Sequence, residues 1–272
     1  MRTNRLLAVT VLSVLGVTGL TACNSDGDGD KANDAAPAAS APASAAASAS
    51  KAAEGGGLEK LSVEEILTKM RAANGKLTSV KATISVVDAE SDVSGTVAAD
   101  SSGNCTADLS IKDQGKFSIL RSGGKTWLKP DAQFIKLVVP TANASVTNMI
   151  AGKWLTGGSM DGEAEGFASF CDMPLEVLKS AGQDENGAPD NTGTKGEVKK
   201  VGGVDAIVLK VKDDEGSPME AAVANEGEPY LLSVTSGDEG SMQFSDFDKP
   251  VKVSAPSADQ IVDLDSLAGA AG

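Results

Sequence analysis

From Thr78 to Ile111 apolar and polar side chains alternate, with Val80, Ala82, Ile84 and Val86, then Val93, Gly95, Val97 and Ala99, then Cys105, Ala107, Leu109 and Ile111 in the apolar phase. A period of two is that of a strand with one buried face. Ser101-Ser102-Gly103-Asn104, Asp113-Gln114-Gly115 and Ser122-Gly123-Gly124 separate the runs and supply turn residues. The pattern predicts an antiparallel meander continuing through Lys116–Arg121, Lys125–Lys129 and Gln133–Val138. After a polar loop over Gln183–Thr194 it resumes as Glu197–Val201, Asp205–Lys212, Met219–Asn225, Tyr230–Thr235 and Ser241–Phe247. Val251, Val253, Ile261, Val262 and Leu264 close the apolar pattern.

Two stretches break this period. Leu58, Leu61, Ile66, Leu67 and Met70 approximate a helical stripe, and Ser62 with Glu65 forms a capping box, so one amphipathic helix is expected to end near Gly75. Ala144–Lys153 and Ala164–Ala181 carry Val146, Met149, Ile150, Trp154, Phe167, Phe170, Leu175, Val177 and Leu178 at mixed helical spacings. Two or three short helices are predicted there, broken at Gly157-Gly158 and at Asp172-Met173-Pro174, with Pro174 in the first turn of a new helix and Cys171 at the break. A sheet of ten or so strands curls, and helices must cover its apolar face. The expected fold class is α+β, a curled antiparallel sheet with helices covering its apolar face.

The N-terminus has a different composition. Arg2 and Arg5 precede an uncharged apolar run from Leu6 to Leu20 and the tetrad Leu20-Thr21-Ala22-Cys23. About 15 apolar residues fall short of the roughly 20 that span a bilayer, so residues 1–22 read as a cleaved signal segment. The tetrad resembles the bacterial lipobox, which makes Cys23 the acylated first residue of the mature chain. Residues 24–57 are mainly Ala, Ser, Pro, Gly and Asp without a large apolar side chain, and read as a disordered tether of roughly 30 Å root-mean-square reach. Residues 58–266 then form a single domain, and 267–272 a frayed tail.

Removing the signal takes two of 24 basic residues and none of the 38 acidic ones, leaving a charge of −16. That sign opposes phosphate-rich partners, nucleic acid among them, and anionic lipid surfaces, since both attract proteins through Lys and Arg. Cys105 and Cys171 remain in a chain bound for an oxidising compartment, and a disulfide is the expected state. The alternatives are a metal site, which two cysteines without histidine do not complete, and a reactive thiol, which needs an electropositive setting.

The chain contains no histidine, so the usual general base of Ser and Cys hydrolases and the commonest metal ligand are both missing. Near-motifs fail on position. Gly124-Lys125-Thr126 has Ile119 where a phosphate loop needs glycine, and Ser159, with Gly157 two residues before it, has Asp161 where a nucleophile elbow needs its second glycine. Asp26-Gly27-Asp28-Gly29-Asp30 has Lys31 and Pro37 at the Gly and Glu positions of an EF-hand. No catalysis, cofactor or metal is expected.

The lipobox, the tether, the helix before a long sheet, the hairpin Ser122–Asp131 and the later Ile150-Ala151-Gly152-Lys153-Trp154-Leu155 resemble actinobacterial lipoproteins of the mycobacterial LppX/LprG type, with a broader likeness to LolA and LolB. The resemblance spans about Leu58 to Leu264. It implies helices lying in a half-barrel, an apolar cavity between them, and a lipid or glycolipid ligand carried at the outer face of the cytoplasmic membrane. With the alternation, it points to Ile84, Val97, Leu109, Ile119 and Leu209 from the strands and Met149 and Phe167 from the helices as the cavity lining. Small inward candidates (Ala82, Gly95, Ala99, Ala107, Ala206 and Ala221) leave either space or a thin, dense layer. The second reading is therefore a filled-core lipoprotein that binds another envelope protein. Cavity volume separates the two.

Overall fold

The computed structural model describes residues 57–87, 92–138, 142–157, 160–213, 216–237 and 239–266. Cys23, the signal and nearly all of the tether lie outside the described residues. Lys51–Gly272 forms one compact unit. Among the described residues one sheet has twelve strands: β1 (Ser79–Val87), β2 (Asp92–Asp100), β3 (Cys105–Ile111), β4 (Gly115–Ser122), β5 (Lys125–Pro130), β6 (Trp154–Thr156), β7 (Thr194–Val201), β8 (Val204–Lys212), β9 (Pro218–Ala224), β10 (Leu231–Ser236), β11 (Gly240–Ser245) and β12 (Ile261–Asp263). The order is β12-β6-β5-β4-β3-β2-β1-β11-β10-β9-β8-β7. Only β12–β6 is parallel among these pairs, and the sheet is open. This is the α+β antiparallel sheet expected from the alternation, in the curved half-barrel form, with helices on its concave face, that the resemblance implies.

Register explains the apolar face. One row runs across ten strands as Leu209, Ala221, Val234, Met242, Ile84, Gly95, Leu109, Phe117 and Pro130, starting from Lys195 at the β7 edge. The adjacent row holds Phe244, Ala82, Val97, Ala107, Ile119, Leu128, Leu155 and Val262. Side chains two apart share a face, so these rows form one continuous apolar surface. Gly95, at φ +152°, lets β2 lie close to β3, because a Cβ there would come within 2.1 Å of the Asp108 carbonyl oxygen.

Helices α1 (Val63–Asn74) and α4 (Met160–Ser180) cover this face. The capping box is present: the Ser62 hydroxyl accepts from the Glu65 N–H at 3.2 Å, and the Glu65 carboxylate accepts from the Ser62 N–H at 2.8 Å. Ile66, Leu67 and Met70 are buried, and Gly75 caps the C-terminus. Arg71 on the opposite side of α1 donates to the carbonyls of Gly182 and Asp190 and to Asn191 Oδ1, tying down the 182–191 loop.

Two segments differ from expectation. Gln133–Val138, predicted as a strand, belongs to helix α2 (Ala132–Val138), followed by α3 (Ala144–Ile150). Asp131 decides it, accepting from the Phe134 N–H at 2.7 Å as an N-cap while its other oxygen accepts from the Lys116 N–H at 3.0 Å. Gly115 (φ +111°) makes room, since a Cβ there would sit 2.4 Å from the Phe134 nitrogen. The expected break at Asp172-Met173-Pro174 is also absent, because α4 is one 21-residue helix with Pro174 inside. An internal proline removes a hydrogen bond and costs about 3 kcal/mol. Anchors on Cys171 and Asp172, immediately before it, hold that turn in place. Pattern reading also missed β6 and β12, which are three residues each.

Candidate functional site

The face between sheet and helices is where the sequence places a ligand. Ile84 (2% exposed), Val97 (0%), Leu109 (3%), Ile119 (0%) and Leu209 (0%) all lie on it, within one buried cluster that includes Leu175 and Leu178 of α4. Phe167 of α4 is partly buried against the same cluster. Met149 is elsewhere: it stands 45% exposed on α3. Ala206 is also elsewhere. It pairs with Ala224, out of phase with Ile207 and Leu209, and packs with Ala222 and Leu232 in a second cluster on the outer face.

Aromatic rings fill one end of the covered face. Phe117 lies with its ring centroid 4.6 Å from Phe134, 5.2 Å from Phe167 and 6.0 Å from Phe170, and Phe134 lies 5.5 Å from Phe167. Edge-on and tilted packing at these distances is favourable beyond area burial. The rings join α2 and α4 to β4.

The middle of α4, directly after Phe170, is fixed by covalent and ionic contacts. Cys105 and Cys171 form a disulfide with a Cα–Cα distance of 5.7 Å, as the two cysteines in an oxidising setting led us to expect. Next to it, Arg121 faces inward from β4 in register with Cys105 and pairs with Asp172 through two nitrogens, one at 2.9 Å, while its Nε donates to the Gly103 carbonyl. Hydrogen bonding from Arg121 holds the Asp172 carboxyl below the usual carboxylate range, against a smaller opposing effect of burial. The motif search did not single out Arg121. Its apolar-phase position in β4, where Phe117 and Ile119 precede it, was the available signal.

At the far end of β1 to β5 the apolar cover thins. Val93, Ile111 and Phe167 are partly buried, and Val86 and Val87 are 41% and 47% exposed. Val86, Val93, Ile111 and Gly115 share one register row, so an apolar path leads from the core to this rim.

Two clefts are described, and both open on the outer face. One, of about 450 Å³, is walled by outward Ser94, Asp108, Ser110, Lys116, Ser118 and Lys129, and Ser118 Oγ donates to Asp108 at 2.6 Å. The other, of about 310 Å³, is crossed by the Lys199–Glu220 ion pair. Among the described residues no cluster of three or more His, Cys, Asp or Glu could hold a metal. No described helix is long and apolar enough to cross a membrane.

No protein-family model matches the chain, and no curated protein sequence is significantly similar to it. Solved structures are. The crystal structure of LprF from Mycobacterium bovis is similar at 13% identity and a TM-score of 0.47, over 72% of this chain and 97% of that one. The Mycobacterium tuberculosis lipoprotein LppX is similar at 14% identity and a TM-score of 0.37, over 71% of this chain and 98% of that one. MucB in complex with MucA(peri) is similar at 12% identity and a TM-score of 0.33, over 74% and 61%.

Proposed function

We propose that this chain is an envelope lipoprotein, anchored through acylated Cys23, that binds lipid acyl chains between the sheet and α4 without covalent chemistry. The observation that carries it is the apolar path from the exposed Val86–Val93–Ile111 rim to the covered face. The arrangement of α4 supports it. Its middle is pinned at Cys171 and Asp172, and the turn just before is held through Phe167 and Phe170, which are contacts an acyl chain can replace in kind. Each buried methylene contributes about 0.8 kcal/mol, so a chain that displaces these rings recovers their apolar contacts. The described state is then the closed one.

A second reading has an observation of its own. Phe117, Phe134, Phe167 and Phe170 pack together inside the covered face, while both described clefts lie outside it. On that reading the core stays filled and the domain works through its surface, on another envelope protein. Titration with a fluorescent fatty acid separates the two. Saturable binding abolished by Ala107→Phe on the covered face and retained by Ala206→Phe on the outer face supports the acyl site. No saturable binding leaves the filled-core reading. The anchor has a separate check: Cys23→Ser should eliminate incorporation of a palmitate analogue, and labelled Cys23→Ser protein would remove the lipoprotein claim.

A further inference from the structure

The larger of the two outer clefts, of about 450 Å³, lies over β2 to β5 and is of the size that holds small-molecule ligands. Register builds it. Ser94, Ser110 and Lys116 stand side by side in one outward row. Asp108, Ser118 and Lys129 stand in the next, about 7 Å further along the strands. Ser110 and Ser118 are short and sit diagonally between the longer Asp108, Lys116 and Lys129, which leaves a hollow with a hydroxyl floor. Leu109 and Phe117 alternate with these residues and are buried on the covered face, so cleft and core occupy opposite sides of the same strands.

The polar groups around the hollow are positioned but not used up. Ser118 Oγ donates to Asp108 Oδ1 at 2.6 Å and so orients the carboxylate, whose Oδ2 takes no bond from a described residue. Lys129 Nζ lies 5.4 Å from the centre of the Trp154 ring, within the range of a cation–π attraction that holds the ammonium at the wall. Neither Lys116 nor Lys129 is in an ion pair among the described residues. Asp131 at the rim is already occupied, accepting from the Lys116 and Phe134 amides. Two lysines therefore face two carboxylates, and the cleft has no net charge.

We propose that this outer cleft binds a neutral saccharide. A sugar presents hydroxyls that both donate and accept, and the cleft answers each kind: the Asp108 carboxylate accepts, the two ammoniums donate, and the serine hydroxyls do either. Anions are disfavoured, because the balanced cleft offers no excess positive charge and the mature chain around it is at −16. A peptide is disfavoured as well. The β3 and β4 backbones are paired on both sides, so no strand can be added here and a peptide main chain would find only side chains. An apolar ligand would leave the hydroxyls, the carboxylate and the ammoniums without partners.

The site is independent of any ligand in the core, and its test uses the chain from residue 23 onward with Cys23→Ser, so that no acyl group is attached. Saturation-transfer difference NMR is recorded against the methyl glycosides of glucose, galactose, mannose and N-acetylglucosamine, with glucuronate and glycerol phosphate as anionic counterparts. Saturable binding of at least one neutral glycoside, tighter than that of either anion, is expected. Asp108→Ala should weaken it about tenfold through loss of a charged hydrogen-bond acceptor, and Ser110→Phe should abolish it by filling the floor. Both side chains point outward from the sheet, so circular dichroism should be unchanged, and Lys129→Gln at an exposed position should give a several-fold loss of its own. No saturable binding of any of the four neutral glycosides overturns the proposal. Glucuronate or glycerol phosphate binding as tightly as the best glycoside also overturns it, and marks an anion site. Full binding by Asp108→Ala and Ser110→Phe overturns it too, since the sugar then sits elsewhere.

Discussion

Breaking the Cys105–Cys171 disulfide should cost more stability than any other single change considered for this fold. The bond links positions 66 residues apart. In the chain-entropy model, closing a loop of that size removes roughly 15 cal/mol/K from the unfolded ensemble, or about 4 kcal/mol at room temperature. Both sulfurs are fully buried, so replacing them with alanine adds a small cavity cost. The Cys105→Ala/Cys171→Ala variant, unfolded in urea beside the oxidised protein, should therefore lose about 4 kcal/mol. A domain at the low end of the usual range, about 5 kcal/mol, would keep only about 1 kcal/mol and unfold at very little urea. The oxidised protein with and without reductant gives an independent estimate of the same quantity. A loss below about 1 kcal/mol by both routes would show that α4 is held by its apolar contacts and Arg121 alone, and would remove the pinned middle from the acyl-binding account.

Three further outcomes follow from the same contacts. Asp172→Asn should cost about 1 kcal/mol at neutral pH, the modest figure reflecting a side chain that is 48% exposed. The Asp172 pKa is lowered in the folded state, so its contribution is complete above the ordinary carboxylate value of about 3.9 and is lost as pH falls through the folded value. Denaturation midpoints of the two proteins should therefore converge in acid, and a constant gap from neutral pH down to pH 2 would contradict the ion pair. Gly115→Ala should destabilise by more than about 1 kcal/mol, read by thermal melting, because a Cβ would meet the Phe134 amide and the φ of +111° is strained for alanine. Ala107→Phe should cost roughly 1–3 kcal/mol from overpacking, being 3% exposed between Val97 and Ile119 in its register row.

Much of the strand pattern was legible because one face of the sheet is buried and the other is not. The Thr78–Ile111 alternation marks three strands directly, and its turn residues mark their connections. Legibility failed where tertiary contacts outweighed local preference. Phe134, Ile135, Leu137 and Val138 suit a strand, yet the Asp131 cap and the space over Gly115 turn them into a helix. Pro174 ordinarily interrupts a helix, but here it follows two residues fixed to β3 and β4 by the disulfide and the ion pair. At the site, all five strand residues assigned to the lining share the covered face. Ala206 was misplaced because β8 is buried on both faces, from Ala206 to Leu209, so burial alone does not reveal its phase. Met149 is on a helix too short for its periodicity to indicate which side faces the core.

The central claim is that acyl chains enter between α4 and the sheet. Native mass spectrometry tests it most directly, on Cys23→Ser protein secreted by its own host so that no covalent lipid confuses the mass. The account predicts a population carrying one noncovalent lipid that is depleted in Ala107→Phe and retained in Ala206→Phe. Ligand-free protein alone, recovered from lipid-rich cells under gentle conditions, would contradict it.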